Sequence, residues 1–426
     1  MTSSGQFGGR KKENVTAGVP PLVPIAAAAV GQIVVCMPGV LPAALRDRTT
    51  KDTVGRRTTH KVARRGCEEG EMRNVIVGLA ASWALLCGCV VEAGPPAGAS
   101  TSPSITAQAL GPLSGDNQSM GFGVNDAGSV VGMSAGKGGE RAFYWSKSRG
   151  LVQLTTSGTT GAAYAIAGKP GNIEYAVGYE ESGGHRRAVI WVAPPSLSPV
   201  PLSDNGSLAL GVNDAGTAVG SSGGTPVIWT RDGNSYTPTH IGFLPNQAEA
   251  YATAIDNDGI VVGYGYDSVT FRSRAFVRLP SGTLVPLDPV PGDVKSTAQA
   301  VSDKVGPTGS PFVYVAGSTT SAAGVQRAVR WKVDLATGNL LETKVLSQTW
   351  AEGVNGSGDV AGTLNGSRGK QSATLWRNDV YTTLPPPTGA TGGTSRGIAQ
   401  TATSPTYVVG QTTMNNWPRA VVWVVQ

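Results

Sequence analysis

Few residues in this chain are equipped for covalent or metal chemistry. No cysteine follows Cys89, and of the three histidines only His185 and His240 come after it, so no cluster of His and Cys has metal-ligand spacing. No catalytic residue, metal or cofactor is therefore assigned. A carboxylate-only hydrolase or lyase stays open, because acids are plentiful and their separation is not legible in sequence. The better-supplied chemistry is recognition, from aromatic side chains set beside charges. Tyr179, Glu180, Glu181 and His185 form one such group, and Tyr264, Tyr266, Asp267, Phe271 and Arg272 form a second, with Trp350, Met414 and Trp417 beyond them. From these, Tyr179, Glu181, His185, Tyr264, Tyr266, Arg272, Trp350 and Trp417 are the candidate ligand-binding residues.

The elements that position them are repeats. Gly123 to Trp145 reads GVNDAGSVVGMSAGKGGERAFYW, and the pattern returns as ALGVNDAGTAVGSSGGTPVIW from Ala209 and as WAEGVNGSGDVAGTLNGSRGKQSATLW from Trp350. Weaker copies fill the gaps. Taking Gly132, Gly178, Gly220, Gly263, Gly317, Gly362 and Gly410 as equivalent gives spacings of 46, 42, 43, 54, 45 and 48 residues, hence seven units. The full pattern is a small-residue strand, an Asn-Asp-x-Gly turn, a Val-rich strand ending in Gly and a strand ending near Trp; the unit from Tyr164 to Trp191 swaps the turn for a longer Gly-Lys-Pro-Gly loop, and the one from Ala252 has Arg278 in place of Trp. A short β-prone segment closes six of them: LVQL at Leu151, LSPVPL at Leu197, PTHIGFL at Pro238, TLVPL at Thr283, LLETKVL at Leu340 and VYTTL at Val380.

The seventh unit ends at Gln426 without such a segment, but ITAQALGPL stands ahead of the first, from Ile105 to Leu113. Four strands in about 45 residues, with one unit divided between the two ends of the array, predict an all-β, seven-bladed β-propeller. The N-terminal strand is expected to pair into the last blade and close the ring. The 59 glycines and 28 prolines suit turns and short strands, and 15% charged residues are too few for long exposed helices. Trp145, Trp191, Trp229, Trp331, Trp376 and Trp423 recur at one place and are expected between adjacent blades. Arg141, Arg187, Arg274, Arg327 and Arg419 recur too, and are expected to hydrogen-bond from blade to blade. The Asn/Asp/Gly turns read as tight hairpins needing positive φ; Asp256-Asn257-Asp258-Gly259 also hints at calcium, without the further acids of a loop site. In a propeller, loops between second and third strands share one face with the links between blades. The candidate ligand residues fall there, where the repeats differ and specificity is free to vary.

On GVNDAGSVVG with RAFYW, AIDNDGIVVG with RAF, and the Leu-rich segment after each, the chain from Ile105 to Gln426 resembles the HAF-repeat family of predicted extracytoplasmic bacterial proteins. The family's His-Ala-Phe is Arg141-Ala142-Phe143 and Arg274-Ala275-Phe276 here, so the histidine is replaced. The resemblance implies export and a repeat array; it brings no reaction and no catalytic residue.

Residues 1–71 differ in kind. They hold 11 of the 34 Lys and Arg and 6 of the 28 Asp and Glu, supplying nearly all of the net charge of +6 and leaving 23 bases against 22 acids in the rest. A nucleic-acid partner is not expected for so neutral a remainder. Met72-Arg73-Asn74, the apolar run Val75 to Leu86 and Cys87-Gly88-Cys89 have the three regions of a secretory signal, with a core too short to span a bilayer. Leu86-Cys87-Gly88-Cys89 also resembles the bacterial lipoprotein signal, which implies acylation of Cys89 and a membrane anchor there. Residues 1–71 are then an upstream extension, disordered or not translated; 72–88 are the signal, and 89–104, rich in Gly, Pro, Ala and Ser, are a flexible tether. By the sorting pattern this resembles, Val90 favours the outer membrane or cell surface.

The expectation is a monomeric propeller held at the cell envelope that binds or scaffolds a protein or glycan through irregular loops on one face. A propeller enzyme acting on polysaccharide, or a surface protein without a specific ligand, are the alternatives. The cellular protein is predicted to begin at acylated Cys89. Intact-mass analysis of the membrane fraction checks this, and a peptide from Arg10 to Arg65 in the mature species would refute it.

Overall fold

Each of the first six repeats folds into one four-stranded antiparallel sheet in which the strands lie side by side in chain order. The computed structural model describes residues 104–426 apart from 194–197, 204, 348, 367–368 and 401–404. The proposed extension, signal, acylation site Cys89 and nearly all of the tether lie outside the described residues. Blades 1 to 6 occupy 116–153, 160–201, 207–240, 247–287, 293–347 and 349–383. Blade 7 takes three strands from 390–425 and its outermost from the other end of the array. There, β1 (Ile105–Ala109) pairs with the final strand, β28 (Trp417–Val425), from Ile105↔Val425 to Ala109↔Val421. The bonds Leu110 N to Ala420 O (2.9 Å) and Gln426 N to Ser104 O (3.0 Å) extend the seam at both ends. The seven-bladed propeller and its closure are as the repeat predicts, and all six closing segments form outer strands.

A feature the repeat count does not reveal sits in the innermost strands. In all seven, the pairing with the second strand slips by one residue at the same place. The slips lie between Gly121/Gly123, Ala163/Ala165, Ala209/Gly211, Ala252/Ala254, Ala298/Ala300, Ala351/Gly353 and Ser395/Gly397. Such a bulge leaves one residue unpaired and bends the strand. Opposite each bulge lies the repeated glycine. A Cβ on Gly132, Gly178, Gly220, Gly263, Gly317, Gly362 or Gly410 would come within 1.9 to 2.2 Å of an innermost-strand carbonyl oxygen, far inside contact distance. The glycine is therefore a steric requirement of the bulge.

Packing between blades follows the recurring aromatics. Trp191, Trp229, Trp331 and Trp423 are fully buried, each in a cluster that joins its own blade to the preceding one. Three of them also fasten the preceding link between blades: Trp191 Nε1 donates to Leu154 O (3.1 Å), Trp229 Nε1 to Ser203 Oγ (3.0 Å) and Trp423 Nε1 to Pro385 O (2.7 Å). Trp145 and Trp376 are half-buried.

One expectation is refined and one corrected. In the turns, positive φ belongs to Gly128, Gly216, Gly259 and Gly358 alone. The Asn or Asp ahead of them acts through its side chain: Asn125 Oδ1 accepts from Ala127 N and Ser129 N, and Asp256 Oδ1 accepts from Asp258 N and Ile260 N in the same way. Asp256-Asn257-Asp258-Gly259 is thus the same hairpin as its repeats. The recurring arginines, second, mostly stay within their own blade. Arg141 pairs with Asp116, Arg187 with Glu180, Arg274 with Asp288 and Arg327 with Asp293. Antiparallel pairing sets the start of the third strand beside the acids at the blade's own rim; only Arg419 of this set crosses, to Asn117 O of blade 1.

Gly220→Ala should lower stability by about 3 kcal/mol, the scale of forced overpacking, because the obstacle is backbone. Gly138→Ala, where nothing lies within 4 Å of the added carbon, should be near neutral. Chemical denaturation of the two variants checks the difference. Deleting 104–113 should cost several kcal/mol more, since it strips a part-buried strand from β28.

Candidate functional site at the propeller axis

The aromatic groups on the loop face are less exposed than their sequence positions suggest. Tyr179 is 4% exposed; its hydroxyl donates to Glu140 Oε2 (2.9 Å), its ring stacks on Tyr164 (6.0 Å) and the Arg186 guanidinium lies 4.1 Å above it. Tyr264 is 3% exposed, wedged between Tyr251 and Tyr266. Burial pushes both hydroxyls far above the usual tyrosine range. Glu180 is buried too, accepting from Thr156 N and Oγ1 and facing Arg187. Glu181 pairs with Arg186 (3.2 Å), and half-buried Trp350 donates to Gln326 Oε1 of blade 5. His185, Arg272, Phe271 (73%), Val269 (80%) and Trp417 (43%) remain exposed. They sit on the rims of blades 2, 4 and 7, on separate blades of the ring. The reason is local: Tyr179 and Tyr264 directly follow the strand glycines Gly178 and Gly263, so they belong to the blade sandwich and not to its loops.

A second set of residues is brought together. The unpaired bulge residue of each innermost strand is Phe122, Tyr164, Leu210, Thr253, Gln299, Glu352 and Arg396, in blades 1 to 7 in turn. All seven line one cavity of about 180 Å³ on the propeller axis. On either side of the bulge the chain is Gly, Ala or Ser, because the following residue presses on the next blade: a Cβ on Gly123 would lie 3.0 Å from Ala165 Cα, and one on Gly211 2.8 Å from Ala254 Cα. The bulge therefore isolates one variable side chain per blade amid invariant small ones. The ring divides into an apolar arc in blades 1 to 3 and a polar arc in blades 4 to 7. In the first, Phe122 and Tyr164 meet at 5.4 Å, and burial raises the Tyr164 hydroxyl to about 12. In the second, Arg396 Nη1 faces Glu352 Oε1 at 3.5 Å while its guanidinium carbon lies 5.4 Å from the Phe122 ring. Glu352 Oε2 and Arg396 Nε are buried without a hydrogen-bond partner.

Above this floor, the turns between first and second strands form the mouth. Asp214 accepts from Gly168 N (2.9 Å), and Asn257 Nδ2 donates to both Asp214 Oδ2 (3.2 Å) and Asp303 Oδ2 (3.1 Å). Gln400 reaches from blade 7 to Asp303 N, Val301 O and Val354 O. Asp126 completes the rim, and Lys169 sits 3.6 Å from Asp214. Burial, then the charges of Asp214 and Asp126, raises the Asp303 carboxyl above the usual range. Among the described residues, no group of three or more His, Cys, Asp or Glu is placed to hold a metal ion.

This ring was missed in the sequence although it leaves a signal there. Each repeat carries small-x-small-Val/Ile ahead of the turn, as in Gly121-Phe122-Gly123-Val124 or Ala351-Glu352-Gly353-Val354, and only x changes its chemistry. Two segments with nucleophile-elbow spacing, Gly132 to Gly136 and Gly220 to Gly224, lie along the second strands of blades 1 and 3 and their turns. An elbow is a strand-to-helix turn. Ser134 Oγ instead accepts from Leu113 N and donates to Asp116 Oδ2.

No family model and no curated protein matches the chain. Solved propellers resemble it in fold. The extracellular domain of a hybrid two-component system from B. thetaiotaomicron aligns with a TM-score of 0.45 at 11% identity, covering 74% of this chain and 39% of that one. A streptogramin B lyase aligns at 0.43 and 11% over 76% and 98%, and the WD40 propeller domain of Doa1 at 0.41 and 15% over 76% and 97%. This chain thus spans well under half of the first and nearly all of the other two. The likeness is one of architecture.

Asp256, beneath the mouth, stands where blades 1, 3 and 6 have Asn. Asn213 Nδ2 donates to Asp256 O (3.0 Å), whereas Asp256 Oδ2 is buried with no donor to meet it. Burial raises its carboxyl from 3.8 to about 7. A carboxyl whose folded value is raised opposes folding once ionised, so stability should fall as pH climbs from about 4 to 7 and level off above. Asp256→Asn should remove that slope and stabilise the protein at pH 8 by about 1–3 kcal/mol, with little gain at pH 4. Melting curves across the pH range check this.

Proposed function

We propose that this chain is an extracytoplasmic binding propeller, tethered to the envelope through Cys89, whose ligand enters the axial cavity from the face of the Asn/Asp/Gly turns. The observation that carries the reading is the bulge ring. Around the propeller the strand glycine recurs in all seven blades and the tryptophan in six, yet the seven side chains aimed at one cavity all differ. A position that served only the fold would repeat with the fold. A cavity with an apolar wall and a few converging polar groups is the usual form of a small-ligand site. The lipoprotein-type segment at 72–89 and the Gly-, Pro-, Ala- and Ser-rich tether behind it, with Glu92 as its one charge, support the location, and the HAF-repeat resemblance supports export.

Binding is preferred to catalysis because the acids of the mouth are held by their neighbours: Asp214 by Asn257 and Lys169, Asp303 by Asn257. A second reading rests on the opposite face, where Val269, Phe271 and Trp417 stay exposed; there the propeller would scaffold a protein or glycan partner through its irregular loops.

Leu210 is half-buried in the cavity wall, so Leu210→Trp should fill the site. In a thermal-shift screen of small molecules, compounds that raise the melting temperature of the wild type should lose that effect in Leu210→Trp and keep it in Phe271→Ala. The reverse pattern would move the site to the loop face.

A further inference from the structure

Resting on the axial site proposed above, we infer that its ligand is a neutral pyranose, either free or as the terminal unit of a glycan. The charge of the site excludes the alternatives in two layers. At the mouth, Asp126, Asp214 and Asp303 gather three carboxyl groups, with Lys169 3.6 Å from Asp214, so an anion such as a uronate or phosphate meets an acid-rich rim. On the floor, Arg396 already lies over Phe122 and already pairs with Glu352. The aromatic face that would attract a deep cation is occupied, and the ion pair carries no net charge.

What the floor does offer suits a molecule with one apolar face and a polar edge. Phe122, Tyr164 and Leu210 form a continuous apolar arc against which the C–H face of a sugar ring can lie. Across from them, Gln299, Glu352 and Arg396 present planar groups of both donor and acceptor type to hydroxyls. Glu352 Oε2 and Arg396 Nε lack partners, and the 3.5 Å separation of this pair is loose for a charge-assisted bond. A hydroxyl that both donates and accepts would satisfy the pair on small side-chain rotations. Thr253 is already engaged, its hydroxyl donating to Ala298 O (2.9 Å), so it shapes the wall without reading the ligand. The cavity of about 180 Å³ gives room for one such ring and not for several. It reaches from the bulge ring to the turns, and its apolar floor is backed by Met120, Tyr179 and Leu208. A glycan would therefore enter end-on.

The test is calorimetric titration of residues 104–426, shown by its melting transition to be folded, and of the full chain. Methyl glycosides of glucose, galactose, mannose and N-acetylglucosamine are compared with glucosamine, glucuronate and n-hexylamine. At least one neutral glycoside should bind, more tightly than every charged probe. Tyr164→Ala and Gln299→Ala should each weaken it about tenfold or more, which is about 1.4 kcal/mol. Gln299→Glu gives a folded check should Tyr164→Ala destabilise the blade, and Phe271→Ala and Trp417→Ala should leave the affinity unchanged. Tighter binding of the matching oligosaccharide identifies a glycan end as the source; equal affinity identifies the free sugar. Ring-dependent binding of the amine or the uronate in preference to neutral sugars would overturn the ligand class while keeping the axial site. Loss of sugar binding in Phe271→Ala or Trp417→Ala with the ring variants unaffected would overturn the site itself. Absence of binding by every neutral sugar, alone or in an oligosaccharide, would overturn the class.

Discussion

One close approach governs this molecule: in each blade the second strand runs so near the bulged first strand that a carbonyl oxygen occupies the place of a Cβ. Only glycine fits there, and the chain supplies it seven times. The bulge turns one residue out of the ladder toward the axis, and the strand bends around it. The small residues flanking it then let the next blade's backbone close in. Blade spacing at the hub, the seven-fold count and the lining of the cavity all descend from this contact. Tryptophan performs the corresponding task farther out, where blades diverge and a large side chain is needed to fill the widening gap.

Much of that architecture is legible in the sequence because it repeats. Glycines at intervals near 45 residues, turns of Asn or Asp with Gly, and a β-prone segment stranded ahead of the first unit suffice for seven blades and their closure. Identity of a position across repeats is evidence that the fold uses it. The cavity escaped the same logic for a physical reason. A bulge is a property of backbone pairing, and a varied residue among Gly and Ala reads as an unremarkable strand position. Tyr179 and Tyr264 show the opposite error: they depart from the repeat and carry polar tips, yet one residue after the strand glycine the side chain points into a blade interface. The arginines before the third-strand alanine illustrate a further limit, since recurrence reveals that a contact exists without saying whether the partner lies in the same blade or the next.

The division of the ring into apolar and polar arcs also has a structural logic. At the axis seven side chains meet without any backbone pairing to satisfy, so each is released from the demands that keep the remainder of its repeat constant. Substitution there leaves the hydrogen-bond ladder and the interblade tryptophans untouched. Diversity collects where the scaffold is indifferent to it, and in this protein that place is the hub, bordered by acids from three turns and the long reach of Gln400 across blade 6.

The seam between β1 and β28 joins two strands that are more than 300 residues apart in the chain. An exchange of β1 between two copies would satisfy the same hydrogen bonds and yield a swapped dimer. The tie between β1 and β2 (Asp116–Val124) works against it. Only 110–115 intervene, Leu113 is buried, and its amide is bound by Ser134. A strand on so short a leash reaches its own ring and no other, so its local concentration is set by geometry instead of by the amount of protein present. Lengthening that leash is accordingly the simplest route to a swapped pair of rings.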